Sequence, residues 1–283
     1  MSENEPTIRH VSDTARWVAV YRARETERPD ALFRDPFAQR LAGEHGERLA
    51  ASVPFIDKTM WPFVVRTYLF DSFISEEIRQ GADMVINLAA GLDARPYRMA
   101  LPATLKWVEV DLPEILDHKE DVLKNEMPVC HLERIRLDLS NVNDRRKVFD
   151  QLGRNSVRAL VITEGLITYL TEDEVGSLAR DIAVPASFQR WLLDLASPAL
   201  LRMLQKRLST YLSQAPLKFA PQAGPAFFEP YGWKLEAVRS TLKTARQLKR
   251  LPFFLQLIAT LVPQPDLPKG SRPWSGACLF AKK

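Results

Sequence analysis

From residue 83 onward the chain repeats one pattern, a short and mostly apolar run followed by a helix-like stretch. The runs are DMVINLAA, LKWVEVD, HLERIRLDL, RALVITEG and QRWLLDLA. Strands that alternate with helices are joined by crossovers, so they lie parallel in one sheet and the helices cover both of its faces. An α/β fold is expected. The 283 residues, 46% of them hydrophobic, are enough to build its core.

The flanks of this pattern read differently. Residues 10 to 80 look helical throughout: VSDTARWVAVYRARE places Ser12 or Asp13 as a cap ahead of Trp17, Val18, Val20 and Tyr21. RPDALFRDPFAQRLAGEHG reads as two Asp-centred turns and a short helix ended by Gly43 or Gly46. WPFVVRTYLFDSFISEEIRQG carries an apolar face through Phe63, Thr67, Phe70 and Ile74 and stops at Gly81. After the fifth strand come a helical insertion, SPALLRMLQKRLSTYLSQ, and the Pro- and Phe-rich APLKFAPQAGPAFFEP. YGWKLEAV is expected as a sixth strand, a basic helix over 239–262, and SGACLFAKK as the last strand. This divides a single expected domain into a helical extension (1–80), a ligand-binding core (81–195), a cap insertion (196–230) and the rest of the sheet (231–283).

Open α/β sheets bind ligands at the carboxyl ends of their strands. Gly91, Asp111, Asp138 and Glu164 close the first four. Gly91 permits close backbone approach or positive φ, as does any βα turn. Asp111 lies 20 residues further on, the separation at which an acid reaches a ribose hydroxyl in dinucleotide folds. It reads equally as an N-cap, with Glu114 completing a capping box and Pro113 in the first turn. Asp138 carries the same ambiguity; with Leu139 it offers a polar contact and an apolar wall for a purine. Glu164 follows a buried-looking strand and needs a partner or solvent. A pyrophosphate wants donors and no nearby anion, so the single Gly91 with Asp93 beside it argues against NAD or FAD. A ligand with a ribose, an adenine and a cationic centre tolerates both acids, and S-adenosylmethionine is such a molecule.

Composition narrows the class further. The net charge of +4 is modest, and the late basic residues (Arg202, Lys206 and Arg207; Arg239, Lys243, Arg246, Lys249 and Arg250) recur at helical spacing, as solvated faces do. No dense basic patch with interleaved aromatics marks a nucleic-acid partner. The N-terminus lacks an apolar leader and the longest apolar run, LPFFLQLIATLV, is too short to span a bilayer, so a cytoplasmic protein without membrane insertion is expected. The same segment, with Lys243, Arg246, Lys249 and Arg250, reads as packed on the sheet or as an accessory membrane contact. Cys130 and Cys278 read as buried thiols, with no metal site.

The ordered motifs VSDTARWVAVYRARETERPDALFRDPFAQRLAG, VVRTYLFD, VINLAAGLDARPYR, WVEVDLPEIL, LDLSN, ITEGLITYLTEDEV and GSRPWSGACLF resemble the leucine carboxyl methyltransferase family. The likeness is closer still to its bacterial branch of S-adenosyl-L-methionine-dependent methyltransferases, and it runs nearly the full length. It implies a class I methyltransferase, Rossmann-like sheet, mostly parallel with an antiparallel last strand. It also implies that Gly91 lies beneath the methionine moiety, Asp111 holds the ribose, Asp138 and Leu139 contact the adenine, Arg66 binds the cofactor carboxylate and Glu164 sits near the methionine end. Two positions depart from the pattern: Ala89, where many members have the first loop glycine, and Ala94, where many have threonine.

Methyl transfer from a sulfonium is a direct displacement, which requires alignment and exclusion of water. A carboxylate acceptor needs no general base, in keeping with four histidines (His10, His45, His118 and His131) in no catalytic pairing. A hydroxyl acceptor would need one, and a pocket acid would have to serve. No catalytic residue is singled out. Phe219, Phe227, Phe228 and Tyr231 either shape the acceptor site or pack a cap on the sheet, and Tyr169 either bonds substrate or packs on the next helix. The leading expectation is an O-methyltransferase for a carboxylate or hydroxyl of a small molecule. The alternatives are a protein C-terminal carboxyl methyltransferase and a non-catalytic binding module, for which Ala89 is the only support.

Overall fold

The computed structural model describes residues 11–52, 60–208, 215–252, 255–256 and 272–283. Its centre is a seven-stranded sheet in the order β3-β2-β1-β4-β5-β7-β6. The strands are β1 (Met84–Leu88), β2 (Lys106–Asp111), β3 (His131–Arg136), β4 (Ala159–Thr163), β5 (Phe188–Ala196), β6 (Trp233–Ser240) and β7 (Ser275–Lys282). The first five run parallel, and β7 inserts antiparallel between β5 and β6. Chain order reverses between β1 and β4, which are direct neighbours, so loops leaving these two strands diverge and open a crevice at their carboxyl ends.

Strand alternation sorts the core into two sides. Met84, Ile86 and Leu88 of β1 face a layer that includes helices α6 (Val142–Arg154) and α7 (Glu172–Ala183). Val85 faces the opposite layer, where α3 (Trp61–Arg79) supplies Val65, Leu69, Phe70, Phe73 and Ile74. Phe70 and Phe73 are almost completely buried, and each contributes about 2 to 3 kcal/mol of hydrophobic stabilisation. A third cluster joins α1 (Val11–Thr26), α2 (Ala38–Ser52) and α5 (Pro113–Leu123), around Trp17, Tyr21, Leu41 and Leu116. A four-residue α4 (Arg95–Arg98) follows β1, and α8 (Pro198–Leu208) follows β5.

Several local expectations need correction. Ser12 and Asp13 lie inside the first turn of α1 and are not its cap. Neither Gly43 nor Gly46 ends α2; the chain bends at Gly43 and the helix resumes to Ser52, because Leu41, Ala42, Leu49 and Ala50 all reach the same buried face. The basic helix expected over 239–262 begins later and is short. β6 runs on to Ser240, whose hydroxyl caps α9 (Thr241–Gln247), and the helix closes at Lys249, with φ 55°. Arg250 then turns inward to Glu25 and Asp30, so it is no headgroup contact. Residues 209–214 of the insertion and 257–271 of the late apolar segment lie outside the described residues.

Among the described residues, no helix is long and apolar enough to cross a membrane. Cys130 and Cys278 are buried free thiols; burial pushes the Cys130 thiol up to about 11 and that of Cys278 higher still.

Candidate active site

The turn after β1 is built on backbone geometry that side chains seldom adopt. Ala89 and Gly91 have φ of 54° and 51°, and the Ala89 N–H donates to the Val110 carbonyl of β2 at 2.8 Å. For an L-residue this left-handed conformation costs roughly 1 to 2 kcal/mol. Ala89 therefore keeps the shape that a glycine would give the turn. A Cβ on Gly91 would lie 3.3 Å from that of Ala15, which places α1 directly over the loop.

Asp111 ends β2 and ties this turn in place. Its Oδ2 accepts the Gly91 N–H at 2.6 Å and its Oδ1 accepts that of Leu112 at 2.7 Å. Leu112, not Asp111, is the N-cap of α5; Pro113 occupies the first turn, and the capping box with Glu114 does not form. Burial raises the Asp111 carboxyl above its ordinary value, against the lowering effect of the two N–H donors. Asp138 is exposed and its Oδ1 accepts the Ser140 N–H at 2.8 Å; Asn141 takes the capping position on α6. Leu139 is half-buried, its carbonyl accepting from Arg145. The Leu137 N–H donates to the Asp111 carbonyl at 2.8 Å, which brings the β3 loop beside the end of β2.

At the neighbouring ends of β1, β4 and β5, three arginines and four carboxylates form the centre of a network that continues from Arg98 to Asp35 at 3.8 Å and from Asp35 to Arg22 at 2.8 Å. Arg66 of α3 donates from Nε to Glu164 and from Nη1 to Asp194, both at 3.1 Å. Arg95 reaches Asp71 at 2.6 Å, Asp93 at 2.8 Å and Glu164 at 2.9 Å, and Arg98 reaches Asp71 at 2.8 Å. Glu164 thus satisfies its buried charge on two guanidinium groups. Burial opposes the charge on Arg66 and Arg95, but the facing carboxylates outweigh it and hold both above the ordinary arginine value. Asp93 folds back onto α4, accepting the Arg95 N–H and the Asn87 amide, each at 2.9 Å. Burial pushes its carboxyl up, yet Arg95, Lys119 and Arg98 together bring it down to about 2.

The structure therefore brings Gly91 to Asp111 and Arg66 to Glu164 at one edge of the sheet, with Asp138 and Leu139 on the adjoining loop. Sequence reasoning passed over Asp71, Arg95 and Asp194. Asp194 had a signal, an acid near the end of the apolar run QRWLLDLA. Asp71 lay in a helix with nothing to single it out. Of the aromatic residues considered for an acceptor site, Phe219 and Phe228 are buried in the main core. Phe227 and Tyr231 are half-buried against that core, Phe228 packing edge-on to Trp191 with centroids 5.2 Å apart. All four pack on the main core. The half-buried Tyr169 hydroxyl, its pKa raised by burial, hydrogen-bonds Thr14 of α1. His118 bonds Arg16 and the Leu41 carbonyl, His45 bonds Asp13, and His131 starts β3 at the opposite edge of the sheet. His10 lies outside the described residues.

Comparison with known proteins places this arrangement. A model of the leucine carboxyl methyltransferase family matches residues 15–183, more than half of the chain. A Frankia alni protein named "Putative S-adenosyl-L-methionine-dependent methyltransferase" is 31% identical over 254 residues, 84% of this chain and 88% of that one. A protein of the same description from Streptomyces coelicolor is 37% identical over 195 residues, 65% of this chain and 69% of its own length. Among solved structures, a DUF574 family protein from Streptomyces avermitilis shares the fold with a TM-score of 0.61 at 12% identity, covering 95% of this chain and 97% of that one. From the match over α1 to α7 and the near-full-length relative, the chain belongs to the leucine carboxyl methyltransferase family.

Proposed function

We propose that this S-adenosyl-L-methionine-dependent methyltransferase is an O-methyltransferase that acts on a carboxylate or hydroxyl of a small-molecule acceptor. The charge at the strand ends supports the cofactor on which the reading rests. The linked arginines and carboxylates hold one more negative than positive charge, which suits a ligand with a sulfonium, an ammonium and a single carboxylate. The donor set also disfavours a pyrophosphate. The helix after β1 is four residues long and Asp93 already accepts the Arg95 N–H at its start.

On this reading Arg66 holds the cofactor carboxylate, Gly91 lies under the methionine chain, Asp111 accepts from the ribose, and Asp138 with Leu139 borders the adenine. Glu164 lies near the ammonium. S-adenosyl-L-methionine, when bound, supplies a methyl group on a positively charged sulfur. The chain's own part is to orient the partners and keep water out. α1 contributes through Ala15 above Gly91 and through the Thr14 bond to Tyr169. His45 and His118 are each bonded to α1, to Asp13 and Arg16, and not to the linked arginines and carboxylates. Ala89, the support for a non-catalytic module, keeps the left-handed turn, so that alternative weakens. We read the chain as a single domain, working in the cytoplasm without nucleic acid, its helical extension and cap insertion enclosing the acceptor.

Isothermal titration with S-adenosyl-L-methionine and with NAD tests the cofactor, and labelled methyl transfer to a panel of carboxylic and phenolic acceptors tests the acceptor. Binding of the first ligand alone, with label on small acids or phenols, is expected. Label appearing only on a protein C-terminus would overturn the small-molecule reading.

A further inference from the structure

Beyond the residues already placed against the cofactor, we infer that Asp194 is a positioning residue, which sets the Arg66 guanidinium for the ligand's carboxylate by holding Arg66 and the turn beneath it together. The two oxygens of Asp194 do separate tasks. Oδ2 accepts Arg66 Nη1 at 3.1 Å, and Oδ1 accepts the backbone N–H of Gly165 at 2.7 Å. Gly165, with φ 71°, is where the Arg66 head rests: a Cβ there would stand 3.2 Å from Nη1 and 3.4 Å from Nη2. One carboxylate thus fixes both the guanidinium and the surface it lies on.

The placement follows from the strand. Side chains of β5 alternate, so Asp194 shares the face of Leu192, which packs in the α3 layer, while Leu193 and Leu195 enter the opposite core. The face of α3 that buries Val65 and Leu69 therefore carries Arg66 beside Asp194. Among the described residues, Glu164 engages Nε and Asp194 engages Nη1, and Nη2 makes no hydrogen bond. The Arg66 side chain as a whole is 18% exposed, so it is not sealed from a ligand. A guanidinium held on two sides loses little further freedom when a carboxylate arrives.

The inference rests on the cofactor reading above, and a pair of ligands separates the two. S-adenosyl-L-methionine carries the carboxylate; 5′-methylthioadenosine keeps the adenosine and sulfur but lacks the amino-acid end. Both are titrated into the unaltered chain, Asp194→Asn, Arg66→Gln and the double variant. Asp194→Asn is expected to weaken S-adenosyl-L-methionine about tenfold, the order of one charge-assisted hydrogen bond, and to leave 5′-methylthioadenosine within about twofold. In the Arg66→Gln background the same substitution should cost nothing more, because its effect passes through Arg66. Equal weakening of both ligands, additivity in the double variant, or tighter binding by Asp194→Asn would each overturn the inference and leave the cofactor reading standing. Failure of the unaltered chain to bind either ligand would overturn both. If Asp194→Asn does not fold, Asp194→Ser is read by the same ratio and the same criteria.

Discussion

Replacing Asp111 separates its two duties, bracing the β1 turn and holding a ribose. Asp111→Ala strips the acceptor from two backbone donors at once. Leu112 is exposed, so water replaces the bond to its N–H. The Gly91 N–H sits in a half-buried turn beneath α1, and leaving it unpaired costs about 1 to 3 kcal/mol of folding stability. Loss of the ribose contact weakens S-adenosyl-L-methionine by a further 1 to 3 kcal/mol, roughly fivefold to 150-fold in Kd. Urea unfolding measures the first quantity and calorimetric titration of the folded variant the second. Asp111→Asn should lie between the alanine variant and the unaltered chain, since its single carbonyl oxygen can serve only one of the two donors. Both Asp111 oxygens face backbone N–H donors, so protonating one of them opposes a donor with a donor and weakens what the carboxyl group can accept. Burial raises its pKa, so binding should begin to fall on acidification at a pH above that of an ordinary aspartate. A folded Asp111→Ala protein with unchanged stability and unchanged affinity would refute both parts of the argument.

Ala89→Gly should stabilise the chain, since it removes a left-handed strain of roughly 1 to 2 kcal/mol and costs about 0.5 to 1 kcal/mol in unfolded-state entropy. A rise in the urea midpoint of both free and ligand-bound protein is the expected result, and a fall would mean that the alanine methyl packs better than its conformation suggests. Asp93 titrates at about 2 in the folded chain, well below an unfolded aspartate. Its contribution of roughly 2 kcal/mol is therefore fully present above about pH 4 and lost as pH falls towards 2. The stability gap between the unaltered chain and Asp93→Asn should narrow over that interval, and a constant gap would refute the assignment.

Local chemistry determined much of this protein before any tertiary contact is considered. Short, mostly apolar runs separated by helical stretches pointed to a parallel sheet, and the positions of Gly91, Asp111, Asp138 and Glu164 at strand ends placed them along one edge. Those features are periodic and short-range, so one chain suffices to read them. Helix ends were less legible. Gly43 bends α2 without stopping it because burial of Leu49 and Ala50 outweighs a single unfavourable residue. The basic helix after β6 stops early because Arg250 turns back to Glu25, a contact across 225 residues.

The charge network was the least visible part. Arg66, Asp71, Asp93, Arg95, Glu164 and Asp194 come from α3, the β1 loop, α4, the β4 loop and β5, and no spacing in the chain announces that they meet. Their pairing depends on how α3 lies across the sheet, which is settled by the fit of Val65, Leu69 and Phe70 against Val85, Leu160 and Leu192. Coulombic partners are chosen by distance in space, and only the folded core sets that distance.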